Sequence, residues 1–367
     1  MKLRTEILTV LLALCAGGAR ADWPSFRGDA GLTGIAESLT GNLEVAWTFE
    51  ILDGIEATAA IVDGTVYVPG LDGVLYALNL DDGEVRWTYE TGDEVKSSPA
   101  VRSGVVYFGD ESGVLHAVDI ESGTARWTYQ TDGGVTSSPN FVGDNVIFGS
   151  YDNHLYSLAI EDGSLAWKLE TDNHVHSTPG VEGGFTYFAG CDGLFRQVRL
   201  SDGTVVGSVQ LDGYVAGSAA LLGDRAYVGT FENTVLGIDI EGPSILWRYK
   251  HSDREFPFYS SPAVTDEVVV IGGRDKLVHV IDAETGKAKW TYSTRARIDS
   301  SPVISGDRVY IAGNDGNVLA LDLETGEERW RFDTGSSVTA SAAIADGRLA
   351  IGTLDGLLYV FRAKEAL

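Results

Sequence analysis

Between Leu43 and Phe361 the chain consists of short segments in which apolar and polar residues alternate, most of them closed by Gly, Asp or Ser. A period of two marks half-buried β-strands, and the Gly- and Asp-bearing breaks mark tight reversals between them. One stretch sets the frame for the rest. Ala117–Trp127, AVDIESGTARW, recurs forty residues upstream as Ala77–Trp87 and forty downstream as Ser157–Trp167. Carried along the chain, this register puts Trp47, Trp87, Trp127, Trp167, Gly207, Trp247, Trp290 and Trp330 in one slot. Units of about 40 to 50 residues cannot bury an apolar face alone, and short strands with tight turns favour a propeller over a solenoid.

Each full unit carries four strand segments. In the second they are Ser97–Arg102, Val105–Gly109, Val114–Asp119 and Ala125–Gln130. The first segment opens with SSP at Ser97, Ser137, Ser260 and Ser300, and with STP at Ser177. Proline fits an innermost strand, because one edge faces the channel and needs no ladder donor. The last unit supplies only Ala340–Ala345, Leu349–Gly352 and Leu357–Phe361, and its missing fourth strand is the orphan Leu43–Glu50. Joining the two closes the ring and removes exposed sheet edges. The expected fold is therefore all-β: an eight-bladed β-propeller with four-stranded blades, the last closed by the N-terminal strand. Residues 43–361 form this ring as a monomer, 22–42 an extended lead-in with Trp23 and Phe26 as anchors, and 362–367 a short tail.

The repeating Trp is read as an outer-strand ring docked between blades, with its indole N–H on a backbone carbonyl and the glycine four residues earlier bending the strand connection. Gly207 breaks that pattern, which predicts a thinner, more mobile seam at the fourth unit. The fifth unit, DIEGPSILW, carries Pro243, and the interval from Trp247 to Trp290 lengthens to 43 residues. The extra residues fall in Lys250–Phe258, expected to project near the channel mouth.

Composition narrows the class of partner. The 367 residues carry a formal charge of -26 with a pI near 4.4, which argues against nucleic acid or an anionic membrane surface. Lys2 and Arg4 precede an apolar run from Ile7 to Ala16, and Ala19-Arg20-Ala21 offers a small-x-small cleavage pattern. Residues 1–21 therefore read as a signal peptide, too short for a membrane span, for a soluble periplasmic protein starting at Asp22. Leu14 before Cys15 departs from a lipoprotein signal, so lipid anchoring is the lesser alternative. Cleavage leaves Cys191 alone, without an intrachain disulfide.

Ala117–Trp127, Ala320–Trp330 and the Ser301–Gly313 stretch resemble the PQQ-like propeller repeat with its tryptophan-docking motif, and WPSFRG within Asp22–Gly34 resembles the lead-in of exported bacterial members. The family includes quinoprotein dehydrogenases and the propeller subunit of the outer-membrane protein assembly machinery. The enzyme branch implies a calcium-bound quinone, a catalytic Asp, adjacent cysteines and long roofing inserts. This chain has no Cys-Cys pair and no such inserts. The acids Asp72, Asp152, Asp192, Asp275, Asp315 and Asp355 share one turn slot, which reads as turn geometry before cation binding.

Positions that vary from unit to unit are better site candidates than framework positions. Before the SSP-like slot stand Glu56, Lys96, Thr136, His176, Ala216, Tyr259, Asp299 and Thr339. Before the turn acid stand Leu71, Glu111, Tyr151, Cys191, Phe231, Arg274, Asn314 and Leu354. Both sets fall on one face and are read as two rings around a funnel, with Glu56, Lys96, Glu111, Tyr151, His176, Phe231, Tyr259, Arg274, Asp299 and Asn314 the candidate partner-binding residues. His174, His176 and Cys191 are weak candidates for Zn or Cu ligands. His116 and His279 replace Tyr76 and Tyr156 in a packing slot. Neither a Ser-His-Asp order nor a phosphate loop stands out. The expectation is a non-catalytic scaffold for a protein or peptide, with no cofactor. The alternatives are a PQQ- and calcium-dependent dehydrogenase and a glycan- or small-ligand-binding sensor.

Overall fold

A computed structural model describes residues 21–364, all of them strand, turn or irregular chain. The signal-peptide reading, including Lys2, Arg4 and Cys15, lies outside the described residues apart from Ala21. The strands form eight sheets around a ring. Seven are built from four consecutive antiparallel strands, such as Ala100–Arg102, Val105–Gly109, Val114–Asp119 and Ala125–Gln130 in the second blade, and the seventh blade adds Ile35–Ala36 as a fifth, parallel strand. The eighth joins Ala343–Ala345, Arg348–Gly352 and Leu357–Ala363 to Leu43–Glu50, with Phe49 opposite Leu358 and Glu50 opposite Leu357. The eight-bladed ring closed by its N-terminal strand is thus the observed fold.

Burial explains the strand order. In the second blade the second and third strands are almost wholly buried, whereas the fourth alternates exposed and half-buried residues at the rim; in the third and fifth blades Trp167, Trp247 and Tyr249 of the fourth strand are buried. Between blades, each Trp reaches forward. Trp87 Nε1 donates to Ile120 O at 2.7 Å, Trp127 to Ile160 O at 3.1 Å and Trp167 to Leu200 O at 2.8 Å, each 33 residues on. The glycine of the turn corrects the sequence reading: Gly123 serves Trp87 of the preceding blade, not Trp127 of its own. It has φ +67°, and a Cβ there would stand 2.7 Å from the Trp87 ring.

Turn acids lock the third strand in five blades, where Asp72, Asp152, Asp192, Asp275 and Asp315 each accept from the backbone N–H two residues on. Asp152 accepts from His154 N at 3.1 Å and from the Tyr156 hydroxyl at 2.6 Å. In the second blade the acid moves two residues upstream: Asp110 accepts from Val114 N at 2.9 Å and lies 3.0 Å from His116 Nε2. His279 pairs with Asp275 in the same way.

The lead-in does more than anchor two aromatic rings. It runs around one mouth of the channel beneath all eight blades. Trp23 bridges Ile61, Pro24 O accepts from Val101 N, and Ala30 O accepts from Val181 N and from the Asn140 side chain. Gly31 and Thr33 carbonyls take Leu221 N and Val264 N, Ile35–Ala36 pairs in parallel with Ile304 and Ser305, and Glu37 accepts from Gly347 N. Arg27 is fully buried at the centre, donating to Pro262 O at 3.2 Å and also to Pro302 O.

Candidate functional site

The connections that lead from each outer strand to the next blade alternate strictly. Ile55, Val95, Val135, Val175, Val215, Phe258, Ile298 and Val338 are buried, each 1% exposed or less. Side chains one residue on must then point the other way. Those residues, Glu56, Lys96, Thr136, His176, Ala216, Tyr259, Asp299 and Thr339, all line one funnel of about 560 Å³ on the channel axis. Phe26 of the lead-in also lines it.

The second set divides. Glu111, Tyr151, Arg274 and Leu354 line the funnel, Cys191 and Phe231 line a side cavity of about 380 Å³, and Leu71 and Asn314 line neither. Tyr151, His176, Ala216 and Tyr259 are shared by both cavities, so the side cavity is a lobe of the funnel beneath blades three to six. His174 and Tyr214 complete its largely aromatic wall.

Two features escape the ring comparison. Arg297, two residues before Asp299, lines the funnel with an exposed guanidinium. The second hydroxyl of each SSP-like triplet takes part in a relay from blade to blade: Thr58 N donates to Ser98 Oγ, Ser98 N to Ser138 Oγ and Ser138 N to Thr178 Oγ1. It continues through Ser218, Ser261 and Ser301 to Ser341 at 2.8 to 3.0 Å. The forty-residue recurrence of that hydroxyl was the available signal.

Charge in the funnel is unevenly distributed and, apart from exposed Glu56, paired. Asp299 holds Arg274 Nε at 2.7 Å and Arg297 Nε at 3.0 Å, so two guanidinium groups share one carboxylate. Arg274 also lies over the Tyr259 ring, 4.2 Å from its centroid. Across the funnel Lys96 sits 2.9 Å from Glu94 and 3.6 Å from Glu111. Burial works against the ammonium charge, but Glu94, Glu111 and Glu56 outweigh it and raise the Lys96 pKa. Burial also raises that of Glu111.

His174 and His176 flank Tyr151. His176 Nδ1 lies 2.7 Å from the Tyr151 hydroxyl, and His174 Nδ1 lies 2.6 Å from the Tyr151 carbonyl and stacks on its ring. Desolvation, followed by the field of His174, lowers the His176 pKa. Burial pushes the Cys191 thiol up, keeping it protonated. Among the described residues no group of three or more His, Cys, Asp and Glu side chains is placed to hold a metal ion.

The Lys250–Phe258 loop is half anchored. Phe258 is buried against His279, ring centroids 5.1 Å apart, and Arg254 O accepts from Asn233 Nδ2 at 3.0 Å. Phe256 stays exposed.

Known proteins resemble this ring in two functional classes. The family model described as outer membrane protein assembly factor BamB matches residues 38–152, 132–256 and 232–365. BamB from Moraxella catarrhalis superposes with a TM-score of 0.74 at 17% identity, covering 87% of this chain and 99% of that one. Quinohemoprotein alcohol dehydrogenase ADHIIG from Pseudomonas putida HK5 superposes with a TM-score of 0.79 at 15% identity, covering 95% and 82%. In sequence, quinohemoprotein alcohol dehydrogenase ADH IIB from Pseudomonas putida is 31% identical over 83 residues, 20% of this chain and 12% of the enzyme. At these identities the superpositions establish the fold alone. No helix among the described residues is long and apolar enough to cross a membrane.

Proposed function

This chain belongs to the family of the outer membrane protein assembly factor BamB, and from that premise we propose that it is an exported, non-catalytic scaffold whose funnel binds a protein or peptide. The observation that carries the reading is the funnel's chemistry: apart from exposed Glu56, its charges are paired with one another instead of converging on a reaction centre. Arg274, Arg297 and Asp299 form one wall, Lys96 and Glu111 another, and the aromatic lobe lies between blades three and six. A polypeptide suits such a surface, offering apolar side chains to the lobe and backbone amides to the paired rim. The blades hold the rim fixed while the connections vary. The pattern of residues 1–21 supports export to the periplasm.

Quinone- and calcium-dependent oxidation is the competing function. The donor set fits calcium poorly. A calcium ion takes six to eight oxygens, drawn largely from carboxylates free of cations, whereas Asp299 is held by two arginines and Glu111 faces Lys96. No reaction step is assigned to the funnel on this reading.

A photo-crosslinking side chain placed at Tyr259, compared with one at exposed Thr124 on the opposite turn, tests the proposal. Polypeptide adducts from periplasmic extract at position 259 alone are expected. Equal labelling at both positions, or none at 259, would overturn it.

A further inference from the structure

The ring's own repetition identifies a second site, away from the funnel, where one docking aromatic is missing. In a regular seam the carbonyl after the third strand receives the Trp indole, and at two seams a tyrosine hydroxyl as well: Ile160 O takes Trp127 Nε1 at 3.1 Å and the Tyr107 hydroxyl at 3.3 Å. Ala283 O takes Trp247 Nε1 at 3.0 Å and the Tyr227 hydroxyl at 3.4 Å. Between blades four and five the Trp slot holds Gly207, opposite Gln197 where Ala117 stands opposite Trp127. The docking glycine is also replaced, by Pro243. A Cβ on Gly207 would stand 2.9 Å from Pro243 Cδ and 3.1 Å from Gln197 Oε1, so the chain cannot supply its own indole there.

Beside the slot that Pro243 closes, and lined by Gln197, opens a groove of about 610 Å³. The buried rings of Tyr187 and the half-buried Phe185 form its wall, with Val206, 40% exposed, at its lip. Tyr187 now accepts from Gln197 Nε2 at 3.1 Å instead of reaching across the seam. Ile240 lines the groove, and its carbonyl, the counterpart of Ile160 O, has no donor among the described residues. The exposed acids Glu182, Asp224 and Glu241 edge the opening, Asp224 with Arg225 Nε at 3.8 Å, while the charge of Arg199 is taken by Asp202 at 3.0 Å.

We propose that this seam groove docks an aromatic side chain, by preference an indole, flanked by basic residues on a partner polypeptide. The indole lies in the groove beside the place of the missing Trp: it packs on Tyr187 and donates to Ile240 O, the counterpart of the Ile160 O that Trp127 reaches. The acidic edge selects lysine or arginine beside it. The site is separate from the funnel, and either can fail without the other.

The test is titration of the full mature chain with Ac-Lys-Trp-Lys-amide and Ac-Lys-Ala-Lys-amide by NMR, following amides around Tyr187 and Ile240. The Trp peptide should bind at least about tenfold more tightly than the Ala peptide. A Gln197→Ala, Gly207→Trp, Pro243→Gly variant rebuilds the regular seam, so it should melt no lower than the natural chain and bind the Trp peptide at least about tenfold more weakly. Val206→Lys, on the exposed lip, should weaken binding similarly without changing the melt. Equal binding of both peptides, no binding of the Trp peptide, or undiminished binding by Val206→Lys would overturn the assignment.

Discussion

Trp330 Nε1 donates to the carbonyl oxygen of Leu43 at 3.0 Å, across 287 residues of chain. The contact joins the seventh blade to the strand that completes the eighth, and Phe361 of that blade meets the Trp330 ring edge-on with centroids 5.4 Å apart. Trp330→Ala removes both, and should cost about 3 to 5 kcal/mol by chemical denaturation. Deleting Leu43–Glu50 should abolish cooperative unfolding, whereas a circular permutant that fuses this strand after Ala363 should retain it.

The lead-in makes a second ring around the channel. Its removal to Gly41 would bare the inner strands and the pocket of buried Trp23. A chain starting at Asn42 should keep its β-sheet signal by circular dichroism yet melt clearly lower. An unchanged melting temperature would reduce the lead-in to a passive tether.

Phe256 and Phe258 are two residues apart in the loop between blades five and six, yet only Phe258 is buried, 1% against 53% exposed. Phe258→Ala should destabilise by about 3 to 5 kcal/mol, while Phe256→Ala should leave stability within about 0.5 kcal/mol. Denaturant titration of the two variants separates the structural end of the loop from its free end.

His176 has a folded-state pKa below that of the unfolded chain, because the funnel wall desolvates it and His174 lies close. Between those two values the unfolded chain binds the extra proton. Stability therefore rises with pH through this window, and falls as pH drops below about 6.5. His176→Gln should remove that part of the slope. The slope that remains at lower pH belongs to carboxylates such as Asp110 and Asp152, whose pKa values are lowered, and it should persist in the variant.

Much of this architecture was legible in the residues. The Trp register and the orphan Leu43–Glu50 determine blade number and closure, because each depends on local alternation repeated at a fixed interval. The first ring of funnel residues was legible for the same reason: buried Val95 and Val135 force Lys96 and Thr136 to the opposite side. The lead-in was not. Its partners are backbone groups of seven blades and the Asn140 side chain of the third, and backbone pairing at that distance leaves no pattern in Asp22–Asn42. The seam at Gly207 was only half legible. The missing Trp is visible, but Pro243 lies in the adjacent blade, and its approach to Gly207 is a property of the folded ring. Leu71 and Asn314 share a sequence slot with Tyr151 and Arg274 yet do not face either cavity, because a slot fixes a turn and not the direction of each side chain.

The most direct test of the central proposal is native mass spectrometry, with metal analysis, of the protein gently isolated from its own cells, set beside an Arg274→Ala, Tyr259→Ala variant. The account predicts a polypeptide bound to the natural ring, much reduced in the variant, without stoichiometric calcium. A retained quinone with one calcium per chain, and no polypeptide, would contradict it.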